Sequence, residues 1–130
     1  MPDQPWGMQI DLTRPIYAQI VGTLVGRIAR GEIAPGDGLP SVRSLAQALR
    51  VNPNTVQRAY RDMEAMGLTA SHPGLGTFVR ADSKALAQVR DGMARQIVDR
   101  AVEQLRALGL DAAAVHDALA AVLLSEERQP

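Results

Sequence analysis

The chain has 130 residues, 46% of them hydrophobic but only 3% aromatic, with no cysteine and a formal net charge of zero. The absence of cysteine excludes disulfides and thiolate metal sites, and the neutral charge argues against indiscriminate coating of nucleic acid. No apolar run approaches the roughly 18 residues of a membrane span, and the first residues lack the basic start and apolar stretch of a signal peptide, so a soluble cytoplasmic protein is the expectation.

Residues 1–13, with Pro2, Pro5, Trp6 and Gly7, read as a loose arm. A first helix is expected from Pro15, a residue suited to the first helical position. Ile16, Ile20, Leu24 and Ile28 recur every four residues, with Tyr17 and Val21 beside them, which is an apolar face at helical spacing. Gly31 ends this helix, and "APGDG" at 34–38 reads as a turn.

"LPSVRSLAQAL" predicts a short second helix with Ser41 as its N-cap and Val42, Leu45, Ala46 and Leu49 on its inner face. "VNPNTVQRAY" predicts the start of a third. Asn52 suits the N-cap, and Pro53 then falls at the first helical position, where its missing N–H costs nothing. Val51 and Val56 have the spacing of a hydrophobic staple. Val56, Ala59, Tyr60 and Met63 share one face, and Gly67 closes the helix in a left-handed conformation with Leu68 folded back on Met63. Tyr60 belongs to the core on this spacing.

A short helix, a tight turn and a longer helix form a helix-turn-helix pattern. The outer face of the second helix then offers Asn54, Gln57, Arg58 and Arg61. Amide and guanidinium groups suit base edges and phosphates. The first residues of a recognition helix reach deepest into the major groove, and Asn54, Thr55 and Gln57 hold those places. Charge agrees. From Gly38 to Arg61 there are four arginines, Arg43, Arg50, Arg58 and Arg61, and no acidic residue, whereas residues 81–130 carry six basic and eight acidic side chains.

"LTAS" and "GTFV" flank "HPGL", which predicts a hairpin with Gly74 and Gly76 at its tip. A hairpin after a helix-turn-helix is a wing, whose small tip suits a neighbouring minor groove. The "GLG" of that tip sits between two strand-like pieces and does not open a helix, so it is no phosphate-binding loop. His72 and His116 are the only histidines; no metal site and no cofactor is expected. Beyond residue 80, Leu86, Val89, Met93, Ile97, Ala101, Leu105 and Leu108 step by three and four, Gly109 stops the helix, and Asp111 caps another carrying Val115, Leu119, Val122 and Leu123. Two such helices cannot bury their stripes alone. They are expected to pack on the first helix or on a second copy.

"PIYAQI", "PGDGLPSVRSLA", "VNPNTVQRAY" and "GLGTFV", in this order and spacing, resemble the winged-helix domain of the GntR family of bacterial transcriptional regulators over residues 15–79. The "VNPNTV" wording and the short two-helix tail resemble its YtrA-like subfamily. The resemblance implies a fold that is mainly α with a small β-hairpin: a winged helix-turn-helix over residues 1–80, then a two-helix dimerisation tail over 81–130. It implies a dimeric repressor that binds double-stranded operator DNA, commonly of operons encoding membrane transporters, with no larger effector domain. The family's "PSxR" arginine corresponds to Arg43, the start of its recognition helix to Asn52, Pro53, Asn54 and Thr55, and its wing tip to His72, Gly74 and Gly76. Two positions depart from the pattern: Pro53 stands where many relatives have arginine, and Gly38 where a longer polar residue is usual.

The DNA-binding residues expected are therefore Arg43, Asn54, Thr55, Gln57, Arg58, Arg61, His72, Gly74 and Gly76. A winged-helix module for a protein partner is the rival reading, against which the unbroken basic run from 38 to 61 argues. An enzyme is not expected, because no nucleophile is paired with a base. Any small-molecule effector is left open.

Overall fold

Side-chain acceptors set most of the helix starts. The structure, a computed structural model, describes residues 8–80 and 82–128. The elements are α1 (Ile16–Ala29), α2 (Val42–Leu49), α3 (Pro53–Ala65), β1 (Thr69–His72), β2 (Gly76–Val79), α4 (Ser83–Ala107) and α5 (Ala112–Glu127). Ser41 Oγ accepts from the Ser44 amide at 3.0 Å, Asn52 Oδ1 from Asn54 at 2.8 Å, and Asp111 Oδ1 from Ala114 at 2.9 Å. Asp82, which was not anticipated as a cap, accepts from the amides of Lys84 and Ala85, both at 3.0 Å. Each satisfies donors that a helix start leaves unpaired.

α1 begins one residue later than expected. Pro15 precedes it with non-helical backbone (ψ 124°), so it flanks the helix and does not open it. Its carbonyl still accepts from Gln19 at 3.4 Å. The arm also differs from a loose segment over residues 8–14; residues 1–7, with Trp6, lie outside the described residues. Met8 is buried. The Gln19 side chain pairs with both backbone groups of Asp11, accepting from its N–H at 2.8 Å and donating to its carbonyl at 2.6 Å. The Thr13 hydroxyl and amide both donate to Asp11 and, with Arg14, hold its carboxyl below the usual range.

α3 is the centre of the N-terminal unit. α1, α2 and β1 all pack on it. Ile20 and Leu24 of α1, Leu45 of α2, and Val56, Ala59 and Met63 of α3 are essentially inaccessible. Fully burying an aliphatic side chain of this size is worth about 1.5–3 kcal/mol, so this shared core supports the short α2, which is too short to persist alone. The Tyr60 hydroxyl donates to the Pro40 carbonyl at 2.7 Å, and burial raises its pKa well above the usual phenol range. Tyr60 is a core residue, as its spacing predicts.

The end of α3 closes as the sequence indicates. Gly67 has φ 80°, the Leu68 amide donates to the Met63 carbonyl and the Gly67 amide to Glu64, both at 3.0 Å, which is a Schellman closure. β1 and β2 then pair antiparallel with Thr69 opposite Val79 and His72 opposite Gly76. The segment read as a mere turn does more. Pro35 and Gly36 do form a turn, with the Asp37 amide donating to Ala34 at 3.0 Å. Beyond it, Gly38 pairs with Phe78, the Leu39 amide donates to Thr77, and the Val79 amide donates to Asp37. Residues 36–39 thus lie along β2, joined to it by an isolated bridge at Gly38 outside the two-stranded sheet. A Cβ on Gly38 would meet the Phe78 ring at 3.6 Å, an ordinary contact, so nothing in the structure requires glycine there.

The chain divides into two compact units, up to Asp91 and from Gly92, with the division inside α4. In the second unit Gly109 (φ 90°) separates α4 from α5. Val115 is its one buried hydrophobic residue among those described. Ile97 is 66% exposed and Leu123 62%, and Val98, Leu108, Leu119, Val122 and Leu124 are also exposed. The apolar stripes read from the sequence are present, and in this unit their residues other than Val115 are left half-buried or exposed. No helix among the described residues is long and apolar enough to cross a membrane.

Candidate nucleic-acid interface

The turn between α2 and α3 sets the angle between the two helices. α2 ends with Arg50 in the left-handed region (φ 57°), the only described non-glycine residue with positive φ. The Val51 amide donates to the Ala46 carbonyl at 3.0 Å and the Arg50 amide to Gln47 at 3.3 Å. The closure is the one glycine usually makes, here carried by an arginine. The sequence offers no glycine at that point, so nothing local signals it. Asn52, exposed, then starts α3, and Pro53 sits at its first position.

Successive helical residues turn by about 100°. Val56, Ala59, Tyr60 and Met63 are buried, so Asn54, Arg58 and Arg61 share the opposite side of α3, with Gln57 on one flank and Thr55 on the other. Asn54, Gln57, Arg58 and Arg61 are exposed and Thr55 is half-buried. Arg43 is exposed on the first turn of α2. Among the described residues, the side chains of Arg43, Asn54, Gln57 and Arg61 make no hydrogen bond or ion pair within the protein. Their donors and acceptors are turned to solvent with none of their capacity used. Arg58 is different: its guanidinium carbon lies 3.6 Å from the centroid of the Tyr17 ring. That contact is tertiary, between α1 and α3, and no sequence pattern announces it.

The wing is a separate element. His72 to Leu75 form a turn closed by the Leu75 amide on the His72 carbonyl at 2.9 Å, with Gly74 at φ 78°. Gly76 has φ 118°. His72 is exposed, its ring 5.6 Å from that of Phe78. The tip is less small than the glycines suggest, because Leu75 stands between them 78% exposed. The Glu64 carboxylate accepts from the Ser71 amide at 3.2 Å, which ties the end of α3 to the hairpin. The structure therefore places the expected residues on three elements: Arg43 on α2, five residues along α3, and His72, Gly74 and Gly76 on the wing. Among the described residues no three acidic or histidine side chains gather as a metal site would require.

Comparison with known proteins gives matches over this same region and beyond it. The family model described as "Bacterial regulatory proteins, gntR family" matches residues 16–79. The HTH-type transcriptional repressor YtrA of Bacillus subtilis is 34% identical over 100 residues, which cover 71% of this chain and 77% of YtrA. A solved GntR family transcriptional regulator from Listeria monocytogenes superposes with a TM-score of 0.70 at 32% identity, covering 85% of this chain and 96% of that one. The DNA-binding domain of AraR, solved in complex with operator ORX1, superposes at 0.50 with 33% identity, covering 55% of this chain and 90% of that domain.

Proposed function

The chain belongs to the GntR family of transcriptional regulators, in its YtrA-like branch, and from that premise we propose that it is a cytoplasmic repressor that binds operator DNA as a homodimer. The observation that carries the reading is the outer face of α3. It presents Asn54, Gln57 and Arg61 with no partner among the described residues, beside the unpaired Arg43. A protein surface that leaves such groups unpaired in one place suits a ligand with a dense pattern of base edges and phosphates.

On this reading α3 enters the major groove with Asn54, Thr55 and Gln57 toward base edges. Arg43, Arg58 and Arg61 contact phosphates or bases, and the wing tip at His72, Gly74 and Gly76 takes the flanking minor groove. Residues 81–130 form the dimer through the apolar faces of α4 and α5 that stand exposed, and the two half-sites are then related by a two-fold. Repression is steric, by occlusion of the promoter. Two relatives support the repressor assignment by name: YtrA, and the mannosyl-D-glycerate transport/metabolism system repressor MngR of Escherichia coli. An operon encoding a membrane transporter is the proposed target.

The test is fluorescence anisotropy against DNA from upstream of the protein's own gene, with scrambled DNA as control, at two salt concentrations. Selective binding that weakens steeply with salt is expected, since several neutralised phosphates release their counterions. No binding to either fragment, even at low salt, would support a protein-partner module instead.

A further inference from the structure

We propose that Tyr17 is a positioning residue for DNA binding: it holds the Arg58 guanidinium stacked and aimed at a single backbone phosphate on the wall of the major groove. The proposal rests on the DNA-binding reading and adds a residue outside the helix-turn-helix and the wing. Tyr17 is the second residue of α1 and half-buried. Arg58 is the sixth residue of α3. At 3.6 Å from ring centroid to guanidinium carbon, the pair is well inside cation–π range. The platform under it is stiff, because Ile20 and Leu24 of α1 and Val56 and Ala59 of α3 are all 0% exposed.

Stacking uses the face of a guanidinium and leaves its N–H donors free at the edge. Arg58 makes no ion pair among the described residues, so those donors have no competitor within the protein. A free arginine must freeze several rotamers to hold a phosphate, and a stacked one has already frozen them. Position selects a phosphate over a base. Asn54, just over one turn nearer the start of α3, and Gln57 carry the free amides suited to base edges, whereas the Arg58 guanidinium is held over the Tyr17 ring of α1. The Tyr17 ring thus supplies a reason for an aromatic residue at the start of α1 that core packing alone does not require.

The experiment is a double-mutant cycle on the full chain, read as affinity for the duplex that the wild type selects from a random DNA library. Arg58→Ala should weaken binding about three- to tenfold and lower the salt slope by about 0.9. Tyr17→Leu should weaken it by a similar factor in the wild-type background and by less than about twofold in the Arg58→Ala background, because coupled residues do not add. Tyr17→Phe, which keeps the ring, should bind like the wild type. Equal losses from Tyr17→Leu in both backgrounds, or no loss in either, would overturn the proposal while leaving the DNA-binding reading intact. A wild type that enriches no sequence overturns both. If Tyr17→Leu does not fold, as a melting curve will show, Arg58→Lys decides: it keeps the charge but lacks the planar face, so a loss of about threefold or more is expected, and wild-type affinity would overturn the stack.

Discussion

Asn52 caps α3 with its side-chain oxygen on the Asn54 amide. The side chains of its neighbours Asn54 and Gln57 spend nothing on the fold, so on the proposed reading the stability and the affinity of this helix are separable residue by residue. Asn52→Ala should lower stability by about 0.5–2 kcal/mol through loss of the cap, read as a lower melting temperature; an unchanged melt would remove the cap from the account. Arg50 presents the opposite case. A non-glycine residue in the left-handed region costs about 1–2 kcal/mol, and Arg50→Gly gives back part of that after the added chain entropy of glycine. Denaturant unfolding should show a gain of about 0.5–1 kcal/mol. The Thr69 hydroxyl is buried with no hydrogen-bond partner, alone among the described residues. Thr69→Val keeps the shape and removes the orphan group, so a gain of about 1 kcal/mol is expected; a loss would mean that the hydroxyl has a partner in solution.

At the scale of elements, α2 and α3 form the helix-turn-helix, which on the proposed reading faces the DNA with the hairpin beside it. Arg43 is exposed and uses none of its donors within the protein, so Arg43→Ala should weaken operator binding by about 1–3 kcal/mol without changing the melt, measured by anisotropy beside calorimetry. The elements were legible because their signals are local. Ser41, Asn52 with Pro53, Gly67 and Asp111 each act on amides or carbonyls within one turn, and the apolar stripes of α1, α2 and α3 repeat at helical spacing. What was not legible is what depends on distant pairing. The bridge at Gly38 has no alternation to read and exists because β2 presents an edge to it. The Arg58–Tyr17 stack joins residues 41 positions apart in the chain. The arm at 8–13 reads as loose because neither Met8 nor Gln19 signals by itself that the segment is fastened to the body.

At the scale of the whole molecule, the second unit leaves Ile97, Leu119, Val122 and Leu123 exposed, more apolar surface than an isolated helical pair keeps at no cost. If residues 81–130 form the dimer, Val122→Glu combined with Leu123→Glu should yield a monomer in sedimentation and weaken operator binding at least tenfold, because one half-site then binds without its tethered neighbour. A double variant that still sediments as a dimer would place the interface elsewhere. The bridging segment at 36–39 has a consequence of its own. It binds the hairpin to the segment that leads directly into α2, and Glu64 fastens the same hairpin to α3. The wing therefore has little freedom to swing by itself. On the proposed complex, the step from the bases under α3 to the groove under the wing is a fixed length, so each protomer acts as a ruler as well as a reader. On that reading, a single base pair inserted inside a half-site should weaken binding even where every contacted base is kept.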